Sequence, residues 1–534
     1  MKFNISKTIV GLCCAASVLT TTSCIEETFP TNAATQDQLS SSAKATEALL
    51  WAMPAFFNAY QTVSTSHFEY GYGSIMHVRD VMTQDATRIS SGYDWYSSWA
   101  ENLYQGESYA RTQYFWNYYW KFVQTANNMI STVDAETATP LQLGYLGAGY
   151  AFRAFIYLDM ARMFEFLPND KTSSVNAAGN NVEGLTVPIV REDMSEEVAR
   201  NNPRVDRATM AAFILEDLDY AEEYIVNLEN ETKTLPHLDV VYGLKARCYM
   251  WLEDYANAKE YARKAINASA TVPMTEKQCL DTATGFNNIN LWMWGSKMMA
   301  EDDVVKSGII HWVSWMSNET YFGYSGIEPF LMIDADLYSR ISDTDFRKKM
   351  WKAPAGSALE GQTPFLHKDF EDGLTTYSSV KFRPADGNPD DYNVGGASAY
   401  PVMRVEEMYF IEAEAAAHLN ASEGQSLITN FMTTYRDPEY TCTATGDDLI
   451  EEIVLQKRVE LWGEGQIFFD IKRLNMSVTR GYPGTNHPEA RRFNTDGRPA
   501  WMNFCIVRTE KNNNAALEGY ENPDPSGLYT PWKE

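Results

Sequence analysis

The stretch LDVVYGLKARCYMWLEDYANAKEYARKAINA, residues 238–268, decides how the chain folds. Apolar and small side chains recur at helical spacing on both sides of Glu253, Asp254 and Tyr255, which reads as a helix, a turn and a second helix. Ala246, Tyr249, Ala258 and Ala265 fall where the two helices would touch, and the small residues let them approach closely. The same period extends outward, over residues 45–63 (interrupted by Pro54), 109–133, 145–166 and 209–228, then again over 402–419 and 447–462. Asp206 stands where its side chain can accept a first-turn N–H of the 209–228 helix.

The spacing within 238–268 is that of a tetratricopeptide-like helix pair, so the fold class expected is mainly α: tetratricopeptide-like pairs forming a scaffold, with long irregular loop insertions carrying the ligand site. Ordinary helical hairpins share this period and remain the alternative. Over about 269–401 the pattern dissolves into Gly, Pro, Asn, Ser and aromatic residues with short helical pieces such as 334–341, and long irregular segments of this kind are usually functional. The tail after Gly481 reads mostly as loop. No composition break separates two units, so residues 43–534 are expected to form a single helical domain.

At the N-terminus Lys2 and Lys7 precede an apolar run, residues 9–19, then Thr21, Thr22, Ser23 and Cys24. That order resembles a bacterial lipoprotein signal, residues 1–23, cut before a cysteine that is then acylated, with 24–42 as a polar, flexible tether. The apolar run is shorter than the ~20 residues a membrane span needs. Beyond Cys24 lie Cys248, Cys279, Cys442 and Cys505 with no C-x-x-C pair. Buried free thiols are the favoured reading, and disulfides in an oxidising compartment stay open. A net charge of −27 argues against nucleic acid as a ligand and favours neutral partners over highly anionic ones. The 14 Trp and 31 Tyr exceed what a helical core of this size requires, so some are expected at the surface.

Two passages carry a resemblance. VMRVEEMYFIEAEA (402–415) precedes QKRVELWGEG (456–465), which runs on through Phe468, Phe469, Asp470, Ile471, Lys472 and Arg473. Together they resemble the SusD/RagB family, whose members carry two such helices in this order near the C-terminus. Residues 145–166, with Phe152, Arg153 and Ala154, resemble a further helix of the family, and Glu26 and Glu27 behind Cys24 resemble its surface-export signal. Val405, Glu406, Trp462, Gly463 and Asn475 depart from the usual pattern without altering its order or spacing. Arg404, Arg458, Glu460, Glu464 and Asp470 read as charge pairs between packed helices, and Ile411, Leu461 and Phe469 as core. The resemblance implies a non-catalytic lipoprotein, anchored through Cys24 in the outer membrane and facing the cell exterior. Such a protein captures an oligosaccharide and passes it to a SusC-like TonB-dependent transporter. Some relatives take peptides.

A sugar offers apolar C–H faces that stack on Trp and Tyr and hydroxyls that need polar partners, so a glycan site should interleave the two. Two segments do. The first holds Tyr70, Tyr72, His77, Arg79, Asp80, Tyr93, Asp94, Trp95, Tyr96 and Trp99, with Gly71, Gly73 and Gly92 interrupting any regular helix. The second holds His311, Trp312, Trp315, Asn318, Tyr321 and Tyr324, ahead of Asp345 and Arg347, which match a family element. The ligand-binding residues expected are Tyr72, Arg79, Asp80, Tyr93, Trp95, Tyr96, Trp99, Trp312, Trp315, Asn318, Tyr321 and Tyr324. Trp292, Trp294 and the aromatic run 114–120 read as core.

The competing readings are a helical glycoside hydrolase and a scaffold that never touches substrate. With 71 acidic residues, carboxylate pairs carry no signal, and G-x-S-x-G, H-E-x-x-H and phosphate-loop motifs are absent. His77 beside Arg79 and Asp80 fits a structural or ligand contact better than catalysis. No cofactor is expected, and a structural Ca²⁺ is left open.

Overall fold

The computed structural model describes residues 43–89, 91–327 and 330–534. The leader, Cys24 and the tether lie outside the described residues. The principal helices are α1 (Ala43–Phe56), α2 (Tyr72–Met82), α3 (Ala110–Ile130), α4 (Pro140–Phe164), α5 (Arg207–Tyr224), α6 (Leu238–Trp251), α7 (Tyr255–Ala268), α8 (Val405–Leu419), α9 (Ala421–Tyr435), α10 (Asp447–Glu460) and α11 (Ile467–Arg473). From α3 to α9 they stack in sequence, α3 on α4, α4 on α5, α5 on α6, α6 on α7, α7 on α8 and α8 on α9. The mainly α scaffold of stacked pairs expected from residues 238–268 is present. Ala246, Ala258 and Ala265 are buried between the paired helices, and Asp254 in the turn caps α7 by accepting the Asn257 N–H at 3.2 Å.

Local chemistry sets the ends of these helices. Asp206 accepts the Thr209 N–H at 2.7 Å and starts α5 as expected. α4 begins five residues before the apolar pattern does, because Thr139 and Gln142 cap each other's backbone at 3.3 and 3.0 Å and Pro140 occupies the first turn. Its Gly147 admits the end of α5: a Cβ there would lie 2.6 Å from the Ile225 nitrogen. α9 lacked a clear expectation of its own, since its polar face outweighs the apolar one.

α2 is a correction. Gly71 and Gly73 read as helix breakers, yet Tyr72–Met82 is a regular helix buried along its whole length. Gly71 lies just outside it at φ +87°, a conformation glycine tolerates, and a Cβ there would strike the Phe57 carbonyl oxygen at 2.0 Å. Gly73 makes room for the Trp312 ring. Two short ribbons also cross the irregular region: β1 (Ala86–Arg88) pairs antiparallel with β3 (Leu331–Ile333), and β2 (Trp294–Lys297) with β4 (Ala399–Met403). Pro401 is tolerated in β4 because a two-stranded ribbon has only edge strands.

The charges of the two diagnostic passages pair as read. Arg404, at the start of α8, donates to Glu460 of α10 at 3.0 Å and to Glu464 at 2.9 Å, Arg458 grips Asp85 at 2.6 Å, and Lys457 meets Asp470 at 2.8 Å. Cys248, Cys279, Cys442 and Cys505 are free thiols, the first two and the last buried. Among the described residues no helix is long and apolar enough to cross a membrane, and no three His, Cys, Asp or Glu side chains gather as a metal site.

These internal carboxylates make the fold acid-sensitive. Burial would raise the Glu414 carboxyl, but Arg473 and His418 outweigh it and hold it at about 2. Burial likewise opposes ionisation of Glu460, and Arg436 and Arg404 overcome it, keeping that carboxyl well below the usual range. A depressed carboxyl stabilises the fold fully above its unfolded value and loses that contribution as pH falls through the folded one. The urea midpoint is therefore expected to fall steeply between about pH 4.5 and about pH 2. A midpoint that stayed level across that window would contradict the pairing.

Candidate ligand-binding site

The structure separates the expected ligand residues into two groups. Tyr72, Arg79, Asp80, Tyr96, Trp99, Trp312, Trp315, Asn318 and Tyr324 are buried, so the open stacking face expected of them is corrected to an internal role, Tyr324 and Trp315 lying beneath the ledge described below. The Tyr72 hydroxyl and Arg79 Nη1 both donate to Asp159 Oδ2, at 2.6 and 2.8 Å. Burial pushes the Asp80 carboxyl well above the usual range, and it accepts the Gly465 N–H at 3.0 Å. Trp99 meets Phe68 edge-on and Trp312 stacks on Tyr400. Asn318 holds β3, accepting the Leu331 N–H and donating to the Leu331 and Ser379 carbonyls at 2.8–2.9 Å. The physical reason is shared: these rings pack inside the molecule and the polar heads bond there, apart from the Trp312 indole N–H, Arg79 Nε and Asp80 Oδ2, which are buried without a hydrogen-bond partner. Trp292, Trp294 and most of the 114–120 run are core, as read.

The second group forms a ledge. Trp95, half-buried, stacks on His67 with ring centroids 4.7 Å apart and planes 15° apart. His67 Nδ1 hydrogen-bonds the Tyr324 hydroxyl, and Tyr324 lies flat on Trp315 at 3.7 Å. The Trp315 indole N–H then returns to the His67 carbonyl at 3.3 Å. Two segments more than two hundred residues apart in sequence thus close on one another through His67. Tyr93, two residues before Trp95, is 61% exposed. Tyr321 is 50% exposed and stacks on Phe370 at 4.9 Å, with no ring contact to His67 or Trp95 among the described residues.

The ledge is held from below. Asp94 accepts the Tyr96 N–H at 3.0 Å and pairs with Arg491 of the C-terminal tail at 2.8 Å, fixing the loop that carries Tyr93 and Trp95. Tyr96 braces Trp315 edge-on at 4.8 Å. Burial lowers the His67 pKa below its ordinary value, so the ring is neutral at pH 7. A neutral, rigid aromatic face can take the apolar side of an uncharged ring without desolvating an ion. Two small cavities of about 10 Å³ lie beneath, one against Asp94 and Tyr96 and one against Trp99, and others lie elsewhere. One of about 40 Å³ between α4, α6, α8 and α11 is walled by paired charges such as Arg247 and Glu407, and an open cleft of about 780 Å³ follows residues 352–377.

His67 is the contributor that sequence reasoning missed. Its only signal is a place immediately before Phe68 and Tyr70, and nothing local distinguishes it from the buried His77 and His311. Tyr104 and Tyr109, 48% and 40% exposed, were likewise not singled out.

Residues 342–531 match the profile of the SusD family. No curated protein matches the chain. Among solved structures, a SusD-like carbohydrate binding protein from Bacteroides vulgatus is similar with 21% identity and a TM-score of 0.70, the match covering 91% of this chain and 99% of that one. A SusD superfamily protein from Bacteroides thetaiotaomicron is similar at 16% identity and a TM-score of 0.64, over 90% and 99% of the two chains. Surface glycan-binding protein A from Bacteroides uniformis is similar at 14% and 0.62, again over 90% and 99%. These likenesses are of fold, and the profile match falls on the helices whose charges pair around Glu460. The chain thus carries the SusD family signature over residues 342–531 and has the fold of SusD-like proteins over nine-tenths of its length.

Proposed function

We propose that this protein binds an oligosaccharide at the cell surface by stacking its sugar rings on the His67–Trp95 ledge, and delivers it to a SusC-like TonB-dependent outer-membrane transporter. In this reading residues 1–23 are the signal, Cys24 carries the lipid, 24–42 form the tether and 43–534 act as one unit on the exterior face. The observation that carries the proposal is the stacked pair itself, a partly open indole held rigidly on a neutral imidazole beside the exposed Tyr93. An open ledge suits a polymer that passes across it better than a closed cavity would. Two of the similar structures bear carbohydrate- or glycan-binding names, which supports the same reading.

The protein acts here without catalysis. Glycoside hydrolysis needs two carboxyl groups flanking the bond, and neither His67 nor Tyr324 feels a carboxylate. Trp95→Ala is expected to weaken glycan binding by about 1–2 kcal/mol, roughly 5- to 30-fold in Kd, with the fold intact. Unchanged affinity in calorimetry would remove the ledge from the site. Peptide titrations under the same conditions are expected to give no heat, and incubation with polysaccharides to release no reducing ends.

A further inference from the structure

Arg111, in the first turn of α3, has a half-buried guanidinium that no carboxylate among the described residues holds. Nε is buried with no hydrogen-bond partner, and neither Nη atom meets an acceptor among the described residues. The neighbours are ring faces instead: Phe68 at 5.9 Å, Trp99 at 5.5 Å and Tyr104 at 5.7 Å. Burial lowers the Arg111 pKa and Tyr104 opposes it, and among the described residues no carboxylate is near enough to act. In the same molecule Arg79, Arg153, Arg347, Arg404 and Arg436 each meet a carboxylate. Partly desolvating a cation without a counter-ion is costly, and aromatic faces offset only part of that cost.

The niche adjoins the ledge. Phe68, one face of the Arg111 cage, lies 6.4 Å from Trp95 between ring centroids. On the far side Tyr104 and Tyr109 stand exposed with ring centroids 5.2 Å apart. Phe68 and Trp99 are themselves buried, so a glycan stacked on Trp95 would pass outside them and bring its next units to the half-buried Arg111 guanidinium beside the exposed Tyr104 and Tyr109.

We infer that Arg111 is a carboxylate subsite, and that the glycan taken by this protein is acidic, carrying a uronic acid next to the sugar stacked on Trp95. The guanidinium fork matches a carboxylate in shape and charge. The net charge of −27 disfavours a densely sulfated polymer, whereas spaced carboxylates can each be met by a local cation. This inference rests on the ledge being the glycan site and replaces the neutral ligand expected from overall charge.

The test is calorimetry on the full chain with galacturonan, glucuronoxylan and alginate oligosaccharides, each paired with its carboxyl-reduced counterpart, and a sulfated oligosaccharide alongside. One acidic ligand is expected to bind about tenfold more tightly than its reduced form, the value of one charge-assisted contact, with a preference that shrinks as salt rises. Arg111→Gln should bring the two affinities to within about twofold. Trp95→Ala should weaken both together. The inference is overturned if no acidic ligand is preferred in the wild type, if the sulfated ligand binds best, or if the preference survives Arg111→Gln. The wild-type preference and its salt dependence decide the matter even if that variant does not fold. Should Trp95→Ala leave both affinities intact while Arg111→Gln erases their ratio, the ledge reading fails and the Arg111 subsite stands.

Discussion

Glu460→Ala is expected to cost the folded protein about 3–5 kcal/mol, the loss that follows from removing one partner of a buried ion network. The Glu460 carboxylate accepts from Arg436 Nε at 2.7 Å and Nη2 at 2.9 Å, from Arg404 Nη1 at 3.0 Å and from Arg347 Nη1 at 3.1 Å. Glu464 shares the load, meeting both Arg404 and Lys381. Without Glu460, three guanidinium groups remain in the interior with too few acceptors, and repulsion joins the desolvation cost. Urea unfolding at pH 7 measures the loss. Glu196→Ala, which removes an exposed partner of Arg200 on a surface turn, is the control and should change stability by less than about 0.5 kcal/mol. Equal effects from the two variants would refute the network as a source of stability.

Arg79→Ala is the second large effect, about 3–5 kcal/mol, again from leaving a buried charge unpaired. Asp159 accepts from Arg79, Arg162, Tyr72 and Tyr119 inside the bundle. Burial would raise its carboxyl, but Arg79 and Arg162 keep it below the usual range. Removing Arg79 takes away the larger of those opposing charges, so the stability lost should be partly recovered when Asp159 becomes protonated at low pH. Because Arg79 lies beneath the surface, glycan affinity measured below the unfolding temperature should equal that of the wild type. Lost affinity with undiminished stability would return Arg79 to the ligand site.

These two variants divide what was legible from what was not. The pairings of Arg404, Arg458, Glu460, Glu464 and Asp470 could be read because they lie in two passages whose helical period is local and whose order resembles a known family. Asp206 could be read for a similar reason, since a cap acts within three residues. α2 could not. Gly71 and Gly73 at its start serve contacts with Phe57 and Trp312, and Arg79 and Asp80 find Asp159 and Gly465 in distant segments, so the local pattern resembles a ligand loop.

Residue order by itself determined that this chain builds stacked helix pairs, the turn at Asp254, the cap at Asp206 and which charges lock the last helices together, because helical period, capping and side-chain spacing act over a few residues. Only the tertiary structure decided which rings meet water. Tyr324 reaches His67 across 257 positions of sequence, Trp312 sinks against Tyr400, and Arg111 is left among rings with no carboxylate of the described residues in reach. Exposure and pairing of a side chain depend on what distant segments bring to it, and no local pattern encodes that.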